Sequence, residues 1–442
     1  MVRKPYGLGN VPNDALLARE SVVVVNEMRR APVSGAFLLA LLGLLTAIEV
    51  TAIDVYMPAL PRLQQLMHVS PAQAGLTLSI FLAGIAIGQA IYGPLSDRYG
   101  RRRPLIVGLC IYTLASAMPL LGTSFGWFLS ARLLQALGAA AGLVISRAVV
   151  TDCFSDEESP RAYSILMQIL GLTATLAPLL GGYLISNWGW QSIAGTLTAI
   201  GFICFLLVGT YLQETLPVAV RASGRVADQR DACVSLLLDR PFAAFTMALA
   251  ATMAAMFMLL AGSAFVVIQQ FQWTPASYSM LYGLGAFGFI LAGYANTRAL
   301  SRRSAAWLLR RSVTLQALLA LALVMLPMMR DPTPWLFAML MTIFLSNLGF
   351  ICGNLNALAM ARARTSAGIG SSLIGVSQFA VSAGAGGIAA VIGGSPLTST
   401  TLTIGAFSLM ALVSYGIGEW PSGHPVTSPT EQAIAGHRPN AE

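Results

Sequence analysis

GPLSDRYGRRRP, residues 93–104, packs one carboxylate, four arginines and two glycines into a very short stretch between two long apolar runs. The flanking runs, 73–96 and 103–122, approach the roughly 20 residues that a helix needs to cross a bilayer. Gly100 permits a sharp chain reversal there. A basic loop between two spanning helices accounts for the arginines, because short cytoplasmic loops are rich in Lys and Arg. It does not account for Asp97 or the two glycines, which mark the segment as a built turn.

Working outward, apolar stretches bounded by charge, Pro or Gly-rich turns give twelve spans, at 35–58, 73–96, 103–122, 126–150, 161–186, 190–212, 242–267, 275–296, 305–328, 333–358, 367–391 and 398–419. Twelve spans need on the order of 240 residues, which a chain of 442 supplies with room for loops. Composition agrees: 56% of residues are hydrophobic and 10% charged, against about a quarter charged in soluble domains. The numbers therefore predict an all-α membrane protein and exclude a disordered chain. The net charge of +8 does not point to nucleic acid, since the basic residues sit between apolar runs and not on a polar surface. Cys110, Cys153, Cys204, Cys233 and Cys352 contain no CxxC pair and suggest neither a disulfide framework nor a metal site.

Of the 26 basic residues, Arg132 and Arg147 fall inside span 4, Arg62 and Arg330 fall in loops on one side, and the others fall on the opposite side. The positive-inside rule makes that side cytoplasmic and places both termini there. The stretch 1–34 holds Arg3, Lys4, Arg19, Arg29 and Arg30 and only a short apolar run, and is read as a cytoplasmic tail without a signal peptide. A polar segment at 213–241 separates six spans (35–212) from six (242–419), and 420–442 reads as a second cytoplasmic tail. Internal repetition supports two pseudo-symmetric halves. GYANTRALSRR at 293–303 aligns with GPLSDRYGRRR at 93–103, so that Gly93, Arg98, Arg102 and Arg103 recur as Gly293, Arg298, Arg302 and Arg303. Faint repetition of this kind is typical of transporters built from parallel halves.

The 93–104 segment resembles the signature loop of the major facilitator superfamily, with Gly93, Leu95, Asp97, Arg98, Gly100, Arg101 and Arg102 in matching places. AIDVYMPALP at 52–61, LSARLLQALGAAAG at 129–142, APLLGG at 177–182 and ETLP at 214–217 resemble the Bcr/CflA branch of twelve-span drug:proton antiporters. The resemblance implies that Asp97 docks on the amino end of span 11, near Ala367 and Gly368, and that Arg101 is available to Asp152 at the end of span 4. It also implies an antiporter motif in span 5, where Pro178, Gly181 and Gly182 let the helix bend and pack closely. Two positions depart from the pattern: Ala136 replaces a glycine of the span 4 motif, and Thr297 replaces the acidic residue of the second-half loop.

Charges within a membrane are costly and mark function by default. Asp54 lies about one turn below Pro58 and Arg132 a little more than one turn below Trp127, both roughly 6 to 8 Å below the outer ends. Their depths allow a charge pair, either coupling-related or simply structural. Glu49 is about 140° around the helix from Asp54 and lies near mid-membrane, where a carboxyl group can load and unload protons. Arg147, near the cytoplasmic end, can snorkel and suits a structural or gate role. In the second half the polar candidates at mid-depth are Asn347 and Gln378, with Met256 and Phe257 as adaptable and stacking surfaces for lipophilic ligands or as plain packing.

The resemblance implies proton-coupled efflux of small amphipathic molecules such as antibiotics (chloramphenicol or bicyclomycin-like) by a monomer in the bacterial inner membrane, driven by the proton gradient and with no cofactor. A metabolite exporter or importer of the same fold is the alternative. A membrane-embedded enzyme or sensor fits less well, because His68, His424 and His437 lie in loops or the tail and form no nucleophile or metal cluster, and no soluble domain is present.

Overall fold

A computed structural model describes residues 35–122, 124–155, 158–216, 226–330, 333–363 and 367–419. The two tails, at 1–34 and 420–442, and residues 217–225 of the 213–241 segment lie outside the described residues. Among the described residues the chain is helical throughout, and twelve helices are long and apolar enough to cross a membrane. They are α1 (Gly35–Asp54), α2 (Pro71–Tyr99), α3 (Arg102–Ala117), α4 (Phe125–Cys153), α5 (Ser159–Trp188), α6 (Gln191–Tyr211), α7 (Arg240–Ala264), α8 (Pro275–Leu300), α9 (Ala305–Met325), α10 (Pro334–Arg362), α11 (Ala367–Ile392) and α12 (Pro396–Glu419). A short helix at Leu60–Leu66 follows α1, and another, Val226–Leu238, occupies part of the 213–241 segment.

Local chemistry sets many helix starts. Ser70 caps α2 in a capping box with Gln73, Ser124 accepts from the Trp127 amide to start α4, and Ser304 accepts from the Trp307 amide to start α9. Proline opens α2, α8, α10 and α12, where its missing N–H costs nothing. Gly100 ends α2 with φ +88°, a left-handed conformation that favours glycine.

The chain divides into two compact units. The first holds the described residues of Met1–Ser223 together with Ala264–Phe287. The second holds those of Gly224–Ser263 and Gly288–Glu442. Helix α8 is therefore divided between the units after Phe287, whereas α7 belongs to the second unit but for its last residue, Ala264. In the first unit α4 is central and packs against α1, α2 and α3, while α5 lies along α1 and α6 along α3. In the second unit α9 packs between α10 and α12. Large apolar side chains such as Leu114, Leu121, Leu318, Val391 and Val413 remain exposed, which suits surfaces that face lipid.

Candidate functional site

The end of α1 brings two ionisable side chains, Glu49 and Asp54, into the first unit's interior. Glu49, Asp54 and Arg132 are all buried, at 5%, 4% and 2% exposure, so none of the three charges can be satisfied by water. The Arg132 guanidinium donates from Nη1 to the Ala52 carbonyl at 2.9 Å and to Gln135 Oε1 at 2.7 Å. It also lies over the Tyr56 ring at 4.7 Å and the Phe81 ring at 4.3 Å. Gln135 passes the network on to Ser116 Oγ at 2.8 Å.

Asp54 has a different partner. Tyr282 of α8 donates its hydroxyl to Asp54 Oδ1 at 2.6 Å. The charge pair expected between Asp54 and Arg132 is therefore not formed, and helix geometry explains why. Ala52 and Tyr56 are four residues apart and share a face, whereas Asp54 is two residues from either and points about 160° away, at 100° per residue. Arg132 engages the Ala52–Tyr56 face; Asp54 faces α8. Glu49 lies within electrostatic reach of Asp54 and of Arg147, which is itself exposed.

The α5 motif closes this region. Pro178, Gly181 and Gly182 are buried. A Cβ on Gly181 would collide with the Val55 carbonyl, and one on Gly182 with the Ser279 hydroxyl, so the two glycines seat α5 against the end of α1 and the start of α8. The departure at Ala136 is absorbed in the same manner: its methyl group lies where a Cβ on Gly84 of α2 would otherwise be, so a small residue on the facing helix makes up for the larger one here. Beyond α1, Gln269 in the π-helical turn Phe265–Gln270 donates to Gln64 Oε1 at 2.5 Å. A recess of about 540 Å³ opens there, lined by Pro58, Arg62, Gln64, Gln269 and Gln272 among others.

At the other end of α2 the signature loop forms a compact ionic hub. Arg101 donates from Nη1 to Asp97 Oδ1 at 2.5 Å and to Ser96 Oγ at 2.9 Å, and from Nε to Asp152 Oδ2 at 2.9 Å. Burial alone would lower the Arg101 pKa, but Asp152 and Asp97 outweigh it and hold the guanidinium above its ordinary value. Glu214 accepts from the backbone amides of Arg101 and Arg102 at 2.7 and 3.3 Å, so a carboxylate sits on the amino end of α3 where the helix dipole favours it. Thr215 adds a bond to Asp152 at 2.9 Å, and Arg102 donates to the Gly209 carbonyl at 2.6 Å. Gly93 has open space around it, and Arg98 lies over the Tyr99 ring at 5.4 Å. Ala367 and Gly368, offered to Asp97, open α11, and residues 364–366 just before them lie outside the described residues.

The second unit's interior carries neutral amides. Asn347 donates to the Ser312 carbonyl at 2.8 Å and so joins α10 to α9. Gln316 bridges Thr252 and Ser408, each at 3.4 Å, and Asn354 donates to Asn296 at 2.9 Å. Phe257 is buried with its ring 6.2 Å from that of Phe379, while Met256 and Gln378 are half-buried. The sequence alone does not single out Tyr282, Ser96, Gln135 or the capping role of Glu214. Ser96, Gln135 and Glu214 lie inside the quoted motifs; Tyr282 lies 228 residues from its partner and gives no local signal.

The chain resembles known proteins along most of its length. It is 31% identical over 343 residues to an uncharacterized MFS-type transporter, YdgK, of Bacillus subtilis (strain 168), covering 77% of this chain and 84% of that protein. It is 25% identical over 374 residues to a bicyclomycin resistance protein homolog of Haemophilus influenzae, covering 85% and 94%. The fold matches the crystal structure of a D-xylose-proton symporter with a TM-score of 0.68 at 13% identity, over 87% of this chain and 96% of that one. Residues 42–387 match the Major Facilitator Superfamily, and with twelve helices fit to span a membrane this multi-pass chain belongs to that family of transporters.

Proposed function

We propose that the chain is a secondary active transporter that exchanges protons for small amphipathic molecules such as antibiotics, chloramphenicol or bicyclomycin-like, exporting them by alternating access. The observation that carries this reading is the pair of buried carboxyl groups on α1. Glu49 and Asp54 are shielded from water, and among the described residues Asp54 makes no ion pair and takes its hydrogen bond from a neutral phenol. A carboxylate locked to arginine has little freedom to change its protonation state, whereas a carboxyl group bonded to a phenol hydroxyl can gain or lose a proton while keeping that partner. Arg132 positions the end of α1 by holding the Ala52 carbonyl. The resistance-protein name of the Haemophilus relative supports drug efflux as the direction and substrate class.

In this reading Asp54 and Glu49 carry the coupling protons, the hub around Arg101 sets the gate on the cytoplasmic side with Asp97 as its latch, and the Pro178–Gly182 segment gives α5 the close packing that alternating access requires. Met256, Phe257, Asn347 and Gln378 remain the candidates for substrate contact, with Asn347 already committed to Ser312. The protein works as a monomer in the bacterial inner membrane with both termini cytoplasmic, its partners being protons, substrate and lipid. The test is a panel of drug susceptibilities in a host lacking its own exporters, with and without a protonophore. Protection that the protonophore abolishes, and that Asp54→Asn or Glu49→Gln abolishes at equal protein level, is the expected result. Protection that survives all three disproves proton coupling at these residues.

A further inference from the structure

The stretch from Arg298 to Arg311, ALSRRSAAWLLRR in its last thirteen residues, holds five arginines and no acidic residue. All five are exposed. Arg310 alone among them forms an ion pair with a described residue, donating to Glu419 at 3.1 Å. Three of the other four are arranged on aromatic rings, and Arg302 is exposed beside Arg303. Arg298 lies over the Tyr294 ring at 4.7 Å, while Arg303 and Arg311 both lie over the Trp307 ring, at 5.0 and 4.1 Å. Two guanidinium groups gathered on one indole repel each other, and the ring's weak attraction for cations does not neutralise either.

Position in the helix makes the arrangement specific. Arg311 is seven residues into α9, on the order of 10 Å along its axis, which is deep for a charge facing lipid. Its side chain leans back toward the start of the helix to reach Trp307, one turn earlier, as side chains on a helix do. An arginine that snorkels in this way covers apolar helix surface with its stem and delivers its charge to the level of the headgroups. Trp307 and Tyr294 are amphipathic rings of the type that settles at that level. The result is a cationic patch with planar donors and a matching aromatic floor, in which Arg298, Arg302, Arg303 and Arg311 form no ion pair with a described residue.

We propose that this patch binds the headgroup phosphate of an anionic phospholipid, with Arg302, Arg303 and Arg311 as the donors and Trp307 as the platform. Forked guanidinium donors suit phosphate oxygens, and basic clusters beside the cytoplasmic end of a membrane helix attract anionic lipid. The lipid then supplies the negative charge that Thr297 does not.

The test uses the full-length protein purified in detergent, with lipid adducts measured by native mass spectrometry. Phosphatidylglycerol and phosphatidylcholine of the same acyl chains are added in turn. The wild-type protein should retain phosphatidylglycerol preferentially, and the triple variant R302Q/R303Q/R311Q should lose that preference by about tenfold or more. Trp307→Leu, which keeps every charge, should weaken it by a smaller factor, and Arg330→Gln should leave it unchanged. Undiminished phosphatidylglycerol retention by the triple variant overturns the proposal. So does displacement of the lipid by sn-glycerol 3-phosphate at equal concentration, which would make the patch a site for free phosphate esters. If the triple variant does not fold, loss of preference in Arg303→Gln alone supports the assignment and its persistence there overturns it.

Discussion

The loops 93–103 and 293–303 occupy corresponding places in the sequence repeat, yet the first has Arg101, the centre of an ionic hub, where the second has Ser301. In the first, Arg101 reaches three acceptors on two segments, Asp97 and Ser96 beside it and Asp152 at the end of α4, while Glu214 holds the amino end of α3. In the second, Thr297 turns back to the Gly293 carbonyl at 3.1 Å, and Arg298 and Arg303 lie on aromatic rings. The interiors differ in the same sense, ionic in the first unit and amide-based in the second. A hub of this kind needs carboxylates delivered from separate segments at once. Where one is missing the cations have no reason to turn inward, and they remain available to the surroundings.

The widest separation between the two interiors should appear with Asp54→Asn. It should reduce proton-driven export by about an order of magnitude or more while expression and the elution profile stay normal, whereas Gln316→Leu should leave coupling intact and show only in thermal stability. Normal transport by Asp54→Asn at equal protein level would return Asp54 to a structural role. Next comes the hub. Arg101→Ala strands Asp152 in a largely buried position and should cost about 3 kcal/mol of stability, against about 0.5 kcal/mol or less for Arg302→Ala, both read as melting shifts in detergent. Equal shifts would mean that the hub contributes no more than an exposed arginine of the second-half loop.

Arg132→Lys should follow, because an ammonium cannot hold the Ala52 carbonyl and Gln135 while stacking between two rings; transport that survives Lys but not Ala would reduce Arg132 to charge balance. Tyr282→Phe removes one hydroxyl from the Asp54 carboxyl and keeps the ring, and should change the pH dependence of transport with a loss of up to about tenfold. An unchanged pH profile would separate Tyr282 from coupling. The smallest effect belongs to the second unit's exposed ion pair, where Arg362 donates to both Asp239 oxygens at 2.9 and 3.1 Å and holds that carboxyl below its ordinary range. A lowered folded value means stabilisation that is present above about pH 4 and is lost as pH falls through the folded value. Arg362→Gln should flatten that acid limb by about 0.5 kcal/mol, measurable as the pH dependence of melting.

Apolar runs bounded by charge, Pro or Gly-rich turns sufficed to read twelve membrane helices, because burial in lipid demands a long uncharged segment whatever its neighbours are. They also brought Glu49, Asp54, Arg132 and the 93–104 loop to attention, since intramembrane charge is rare enough to stand out against a 10% charged background. Partner choice is another matter. Depth along the membrane axis matched Asp54 to Arg132, but depth is one coordinate, and rotation about the helix sent them to different neighbours. That the Arg132 guanidinium would rest on the Ala52 carbonyl, that Tyr282 would meet Asp54 from 228 residues away, and that Glu214 would cap α3 depend on how helices far apart in the chain are turned against one another. Packing sets those rotations, through contacts such as Gly181 on Val55 and Gly84 on Ala136, and no local pattern encodes them.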